Sequence, residues 1–299
     1  VFVSMNEEFC FVKEGYEDVK KTFQELYDLR WEMGSSFTAY VNEEKVVELY
    51  GGVTELSSSN SNVKFNPNVL QLVASCTKFV ASVGVGMLVD RGLIHWKGKI
   101  SEYWPEFSQN GKEDITIEQL MLHQAGLVAL DENFSEYIIS DSDRLSEFLA
   151  RQKTNWNVEP LNFYDDVPAT QGYHPITQGF YISEICRRVD EKKRTIGQFI
   201  KEELCEPLGI EFYIGLPESE ESRVGKVYSS DINIIMPILK GEPLIDEYEK
   251  DPRYNLSEEE KAFLVDLFTN PLSLQKRGLG CIKFEGVPDA ELGSHRNIR

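Results

Sequence analysis

The 299-residue sequence lacks long hydrophobic runs and any excess of positive charge. It contains no stretch of 18 or more apolar residues, so it predicts no membrane-spanning helix. Asp and Glu number 50 against 31 Lys and Arg, which gives a net charge of −19. Nucleic-acid backbones and anionic lipid surfaces carry the same sign of charge. Neither is therefore an expected partner.

Cysteine and histidine are also scarce. The five cysteines include no Cys-x-x-Cys pair, and the four histidines form no His-Glu-x-x-His pattern. We therefore expect no metal site, and no disulfide framework in a chain of this length. These features favour an intracellular compartment, cytoplasmic or mitochondrial. No signal peptide is visible at the start of the sequence, although an upstream segment could carry one.

The spacing of apolar residues predicts one helix and one hairpin, followed by mostly helices. An amphipathic helix is expected from Gly15 to Met33. Two β-rich runs, 37–41 and 45–50, flank a polar turn, which is typical of a hairpin. Further helices are predicted over 75–90, 116–122, 143–152, 177–189, 195–206 and 257–268. The helix over 195–206 is expected to stop at Pro207 and Gly209.

Residues 75–90 are small and apolar almost all round, reading SCTKFVASVGVGMLVD. This composition predicts a helix buried on every side, in which Gly84 and Gly86 allow another backbone to approach closely. Cys76 is expected to be a small buried packing residue.

Ser75-Cys76-Thr77-Lys78 places a hydroxyl and an amine one helical turn apart, on the same face. A lysine buried against apolar groups can lose its proton and then accept the proton of the serine. The same spacing occurs at 61–64 and 273–276, but only Ser75 starts a predicted buried helix. The structural alternative is an N-cap serine beside a surface lysine.

Four longer blocks around this motif resemble the serine β-lactamase-related family. They are VASCTKFVASVGVGMLVDRGLIHWKGKISEYWPEF, ITIEQLMLHQAGL, GYHPITQGFYISEICRRVD and FIKEELCEPLGIEFYIGLPESEESRV. The resemblance is collinear and closest to the penicillin-binding-protein-like esterases and the animal β-lactamase domain-containing proteins. It implies an α+β fold of β-lactamase/penicillin-binding-protein type, in which an antiparallel sheet flanked by helices meets a mostly helical lobe at a cleft.

Within one such domain, the resemblance implies three parts. Residues 14–74 supply the N-terminal helix and hairpin, 75–235 the mostly helical lobe, and 236–299 an acidic peripheral segment. The family's third motif, a Lys-Thr-Gly or His-x-Gly strand, has only a weak counterpart at Lys276-Arg277-Gly278. We therefore expect the final strands to be missing, and this chain alone to be weakly active or inactive.

The resemblance also assigns catalytic roles. Ser75 attacks the carbonyl of an ester, amide or small peptide, Lys78 accepts the serine proton, and Tyr173 passes a proton to the leaving group. Water then releases the acyl-serine. No metal or organic cofactor is implied. The expected partner is a small-molecule or peptide substrate, and homo-oligomerisation stays open.

Residues beside Tyr173 are candidates for substrate binding. His174 is one, with a structural or solvated histidine as the alternative, and Trp156 is another, with aromatic filler as the alternative. Pro175 replaces the family's Asn and removes a side-chain donor, which disfavours a dedicated β-lactamase. His123 is expected to tie off a helix end. The alternative function is a catalytically silent scaffold or interaction protein on the same fold.

Overall fold

The computed structural model describes residues 3–29, 32–55, 63–132, 135–158 and 170–227, together with residues 257 and 259. Two compact units are present, and each is described by itself. The first is Val1–Val73 with Leu216–Tyr228, and the second includes Ala74–Gly215. No described helix has the length and apolar character needed to cross a membrane.

The first unit is a three-stranded antiparallel sheet packed on one helix. Strands β1 (Phe11–Val12), β2 (Gly34–Val41) and β3 (Glu44–Gly52) lie in the order β1-β3-β2, and helix α1 spans Glu17–Asp28. The predicted hairpin is confirmed. Its two turn residues have φ values of 48° and 66°, which is the geometry of a two-residue turn that matches the twist of the strands. The two residues of β1 are too few to show an alternating pattern, and the strand was not predicted.

Helix α1 is shorter than the predicted helix, because sheet pairing begins early. The Met33 carbonyl accepts the Val53 N–H at 2.9 Å, and Gly34 pairs with Gly52, so the last residue of the predicted helix is already bonded to the residue that follows β3. The Tyr27 hydroxyl lies 2.7 Å from Ser35 Oγ. Gly51 makes room for this ring, since a Cβ there would lie 2.5 Å from Tyr27. Tertiary packing therefore ends the helix before its apolar periodicity does.

The second unit is mostly helical within its described residues. It contains α2 (Thr77–Asp90), α3 (Ile100–Tyr103), α4 (Ile117–Met121), α5 (Glu136–Ile139), α6 (Ser142–Ala150), α7 (Thr177–Val189), α8 (Ile196–Ile200) and α9 (Glu206–Leu208). Thr116 and Thr195 start α4 and α8 with capping boxes, which satisfy N–H groups that a helix start leaves unpaired. The rings of Trp104, Phe107 and Tyr181 meet in the core at centroid distances of 5.4–6.2 Å.

The predicted helix over 195–206 is interrupted. A π-helical turn, Lys201–Cys205, separates α8 from α9. Pro207 lies inside α9 and does not end the helix, since α9 follows the π-helical turn directly with helical backbone at Cys205 and Glu206 and runs on to Leu208. Gly209, with a φ of 63°, ends α9. The predicted helix over 257–268 and the acidic segment 236–299 lie outside the described residues.

Helix α2 is buried on one face only, so the prediction of burial on all sides is wrong. Ala81, Gly84, Val85 and Leu88 are buried at helical spacing, whereas Phe79 is 75% exposed. Cys76 is exposed as well, contrary to the prediction. The residues are apolar all round, but only one side of this helix packs on the core.

The glycines of α2 differ in their surroundings. A Cβ on Gly84 would lie 2.9 Å from Ile196 and Ile200, whereas a Cβ on Gly86 would meet nothing within 4 Å. Gly84 therefore packs on the Ile196 and Ile200 side chains of α8, and not on another backbone as predicted, while nothing approaches Gly86.

Candidate active site

The candidate site begins at the turn that leads into α2. Residues Ala74–Cys76 form a single 3₁₀ turn, and α2 starts at Thr77. Ala74 has a φ of 44°, a left-handed conformation that costs a residue with a Cβ roughly 1–2 kcal/mol. Ser75 follows this strained residue and is exposed, while Lys78 is half-buried in the first turn of α2.

Tyr173 meets Ser75 across 98 residues of sequence. The Tyr173 hydroxyl donates a hydrogen bond to Ser75 Oγ at 2.6 Å. The Lys78 ammonium lies over the Tyr173 ring, with Nζ 5.0 Å from the ring centroid. The structure thus brings together the three residues assigned to catalysis. Among the described residues, no hydrogen bond joins Lys78 directly to Ser75.

Pro175 contributes to the site through its backbone. Lys78 Nζ donates to the Pro175 carbonyl oxygen at 2.6 Å, and Pro175 is buried. A carbonyl therefore receives the ammonium although no side-chain amide stands at this position. Sequence reasoning missed this contact because every residue type carries the same carbonyl group.

His174 points into the protein and not toward the Ser75 hydroxyl. Its side chain has no exposed surface. Nδ1 lies 2.6 Å from the Gly172 carbonyl, and Nε2 accepts the Leu127 N–H at 2.9 Å. This pairing requires the neutral tautomer with the proton on Nδ1. Since both nitrogens are occupied internally, the placement favours the structural alternative over substrate binding.

Burial lowers the pKa of His174 to about 4 against the opposing effect of the bond to the Gly172 carbonyl, and the nearby His123 and Lys78 charges lower it by smaller amounts. Taking an imidazolium out of water is costly when no anion compensates it. His174 is therefore neutral near pH 7.

Trp156 packs beneath the loop that carries Tyr173. Its ring is 6.3 Å from the His174 ring in an edge-on arrangement. Gly172 permits this packing, because a Cβ there would lie 2.9 Å from the Trp156 ring. Trp156 is half-buried, and its contacts fit loop support. The predicted substrate contact of Trp156 stays a prediction.

His123 also packs against the aromatic rings around Tyr173, although sequence reasoning expected it only to end a helix. Its ring centroid is 4.8 Å from that of Tyr173. Burial, and then the Lys78 charge, lower the pKa of His123. Spacing gives no signal for this contact, because 50 residues separate the two positions.

The described residues contain no group of three or more His, Cys, Asp or Glu side chains placed to hold a metal ion. Cys10, Cys76, Cys186 and Cys205 are free thiols, and Cys281 lies outside the described residues. The described site itself offers a hydroxyl, a phenol and an ammonium group.

An antiparallel sheet with a packed helix and a mostly helical unit holding a Ser-x-x-Lys turn define a domain of the β-lactamase/penicillin-binding-protein type. The Beta-lactamase family model matches residues 19–237. The chain belongs to the beta-lactamase family.

Relatives of known identity include esterases and penicillin-binding-protein homologues. Over 215 residues the chain is 26% identical to Esterase/beta-lactamase LipL of Mycobacterium tuberculosis (strain ATCC 25618 / H37Rv), covering 70% of this chain and 46% of that protein. A penicillin-binding protein homolog from Caulobacter crescentus is 34% identical, with a TM-score of 0.63 over 73% of this chain and 55% of the homolog.

A family VIII carboxylesterase is 31% identical, with a TM-score of 0.64 over 73% of this chain and 57% of the esterase. EstA from Arthrobacter nitroguajacolicus Rue61a, at 24% identity and a TM-score of 0.66, covers 96% of this chain and 62% of EstA, and supports the fold alone. The chain thus spans about half the length of the relatives that it matches.

Proposed function

We propose that this protein is a serine hydrolase that transfers an acyl group through Ser75 to water. The observation that carries the proposal is the 2.6 Å hydrogen bond between the Tyr173 hydroxyl and Ser75 Oγ. The esterase and β-lactamase names of its relatives support the same class of reaction. The proposed substrates are esters, amides or small peptides.

In the proposed reaction, Ser75 Oγ attacks the substrate carbonyl carbon, and its proton passes to the Tyr173 oxygen as the Tyr173 hydroxyl passes its own proton to the leaving group. The tetrahedral intermediate collapses, and the leaving group departs with the proton from Tyr173. Water then attacks the acyl carbon and gives its proton to Tyr173, and Ser75 recovers a proton as its bond to carbon breaks. One proton thereby departs with the leaving group, and a proton from water restores the Ser75 hydroxyl.

Lys78 acts in this scheme as a fixed cation. Its ammonium, held by the Pro175 carbonyl, lies over the Tyr173 ring, where it stabilises the negative charge that forms on the phenol oxygen. The alternative, direct transfer of the Ser75 proton to Lys78, requires Lys78 Nζ to come within hydrogen-bond distance of Ser75 Oγ. Of the two groups, Tyr173 is the one that contacts Ser75 directly.

The test is covalent labelling of the purified chain with a fluorophosphonate probe, followed by mass spectrometry to locate the label. Because this chain alone is expected to be weakly active, we expect slow labelling that reaches one label per chain, on Ser75, and none in Ser75→Ala. Tyr173→Phe should slow labelling by about 10²-fold, the low end of what a positioned acid or base contributes.

Cys76→Ser is the matched control, because Cys76 is the exposed nucleophile next to Ser75. This variant should label like the wild type. Labelling that persists in Ser75→Ala, or that is lost in Cys76→Ser, would contradict the assignment of Ser75. A folded wild-type chain that takes no label would overturn the proposal and favour the silent scaffold.

A further inference from the structure

The loop that carries Tyr173 has no secondary structure of its own. Residues 170–174 lie outside any helix or strand, and α7 begins only at Thr177. Tyr173 is itself 48% exposed. An exposed aromatic ring on such a segment keeps a fixed position only if neighbouring residues hold its backbone. The contacts around Tyr173 therefore determine whether its phenol stays on Ser75.

His123 contacts this loop on both sides of Tyr173. Its backbone carbonyl accepts the Gly172 N–H at 3.0 Å. Its ring Nδ1 accepts the His174 N–H, also at 3.0 Å. One residue thus binds the backbone immediately before and immediately after Tyr173, and its ring lies against the Tyr173 ring.

The backbone of His123 is adapted to this position. His123 has a φ of 61°, a left-handed conformation in which Asn, Asp and His are enriched among residues with a Cβ. It follows directly on α4 and its C-cap residue. In this conformation the carbonyl and the ring Nδ1 of His123 both reach the loop that carries Tyr173.

The ring of His123 can accept this bond only when Nδ1 is unprotonated. The His174 N–H cannot donate to a protonated nitrogen, so the contact requires the tautomer that carries its proton on Nε2. Half-burial and the nearby Lys78 charge both disfavour the imidazolium. The groups that face the ring from neighbouring elements are Lys78 on α2 and the Tyr173 and His174 side chains.

We propose that His123 is a positioning residue that holds the Tyr173 phenol against Ser75 by binding the backbone on both sides of Tyr173. The proposal rests on the proposed function for its catalytic consequence. Its structural part, the dependence of the Tyr173–Ser75 hydrogen bond on His123, is independent of turnover. His123 touches neither Ser75 nor the proposed site of acyl transfer, so it acts through Tyr173.

Two substitutions separate the acceptor from the ring. His123→Asn keeps a residue that tolerates positive φ and places its amide oxygen close to the position of Nδ1, so it should restore the bond to the His174 N–H. His123→Phe keeps an aromatic ring beside Tyr173 but offers no acceptor. His95→Phe makes the same chemical change at an exposed histidine of the same unit and serves as the control.

The first measurement is the carbon NMR spectrum of the full chain labelled at tyrosine Cζ, with Tyr173→Phe assigning the Tyr173 resonance. The resonance reports hydrogen bonding of the phenol, and Ser75→Ala gives its position when the bond to Ser75 is absent. We expect His123→Phe to move the resonance toward the Ser75→Ala position. His123→Asn and His95→Phe should leave it near the wild-type position.

The second measurement is the rate of fluorophosphonate labelling, resolved into the probe's binding constant and the rate of the covalent step. His123→Phe should slow the covalent step by about tenfold or more with little change in binding, because small misplacements of a reacting group are costly. His123→Asn should label at a rate within about threefold of the wild type, because its amide oxygen keeps the bond to the His174 N–H. A change of about threefold is at the low end of what the loss of one hydrogen bond causes. Thermal unfolding of each variant shows that it is folded.

The outcomes distinguish the two proposals. An unshifted Tyr173 resonance in folded His123→Phe overturns the positioning role, whatever the labelling shows. A shifted resonance in a chain that takes no label at Ser75 upholds the positioning role and overturns the proposed hydrolase. Equal slowing by the Asn and Phe variants would mean that the Nδ1 acceptor is not what matters, and this result also contradicts the proposal.

Discussion

Lowering the pH should reduce the unfolding free energy of the second unit through protonation of His174, and the size of this loss follows from the pKa of His174 in the folded protein. Its folded-state pKa of about 4 lies below the 6.5 of an unperturbed histidine, mainly because the ring is buried. Between these values the unfolded chain binds a proton that the folded chain does not. Stability contributed by His174 is therefore fully present above about pH 6.5 and is lost as the pH falls through about 4.

A difference of roughly 2.5 pKa units corresponds to about 3 kcal/mol of unfolding free energy, at about 1.4 kcal/mol per unit. The perturbation is His174→Gln, whose side-chain oxygen can still accept the Leu127 N–H but cannot take up a proton. The stability advantage of the wild type over this variant should shrink by about 3 kcal/mol between about pH 7.5 and pH 4.

The assay is urea unfolding at a series of pH values, followed by tryptophan fluorescence. Trp96, Trp104 and Trp156 all lie in the second unit, so the signal mainly reports that unit. His95→Gln, the same change at an exposed histidine, is the control and should follow the pH dependence of the wild type. A wild-type advantage over His174→Gln that stays constant across the pH range would refute the reasoning, because it would mean that the buried ring takes up its proton without cost.

Two further predictions concern packing in the second unit. Lys112 is fully buried, and its ammonium donates to the carbonyls of Gln109, Ala150 and Gln152. Lys112→Met should cost about 3 kcal/mol in urea unfolding, because the buried carbonyls of Ala150 and Gln152 lose this donor, whereas the Gln109 carbonyl keeps the backbone N–H of residue 112. A loss below about 0.5 kcal/mol, the scale of a surface substitution, would contradict this account. On α2, Gly86→Ala should raise stability by about 0.5–1 kcal/mol through helix propensity. Gly84→Ala should lower stability by about 1–3 kcal/mol through overpacking. Equal shifts in the thermal unfolding midpoint for the two glycine variants would contradict the contact of Gly84 with α8.

Local patterns were sufficient for much of the framework. Helix α7 has the predicted bounds, and the hairpin turn lies where the polar residues indicated. Such features depend on neighbours a few positions away, so side-chain periodicity and capping groups are visible in the sequence. The spacing of Ser75 and Lys78 is equally local. Resemblance to the family supplied Tyr173, which no spacing rule connects to Ser75.

The sequence by itself determined where most of the longer helices and the hairpin lie, because these follow from side-chain periodicity and turn residues over a few positions, whereas the short helices α3 and α5 were not predicted. Only the tertiary structure decided that one side of α2 stays open, that a π-helical turn precedes α9, and that His174 is enclosed. It also decided that the Pro175 carbonyl holds Lys78 and that His123 holds the loop of Tyr173. Each of these depends on contacts between segments distant in sequence or on the register of backbone hydrogen bonds, and composition carries no record of either.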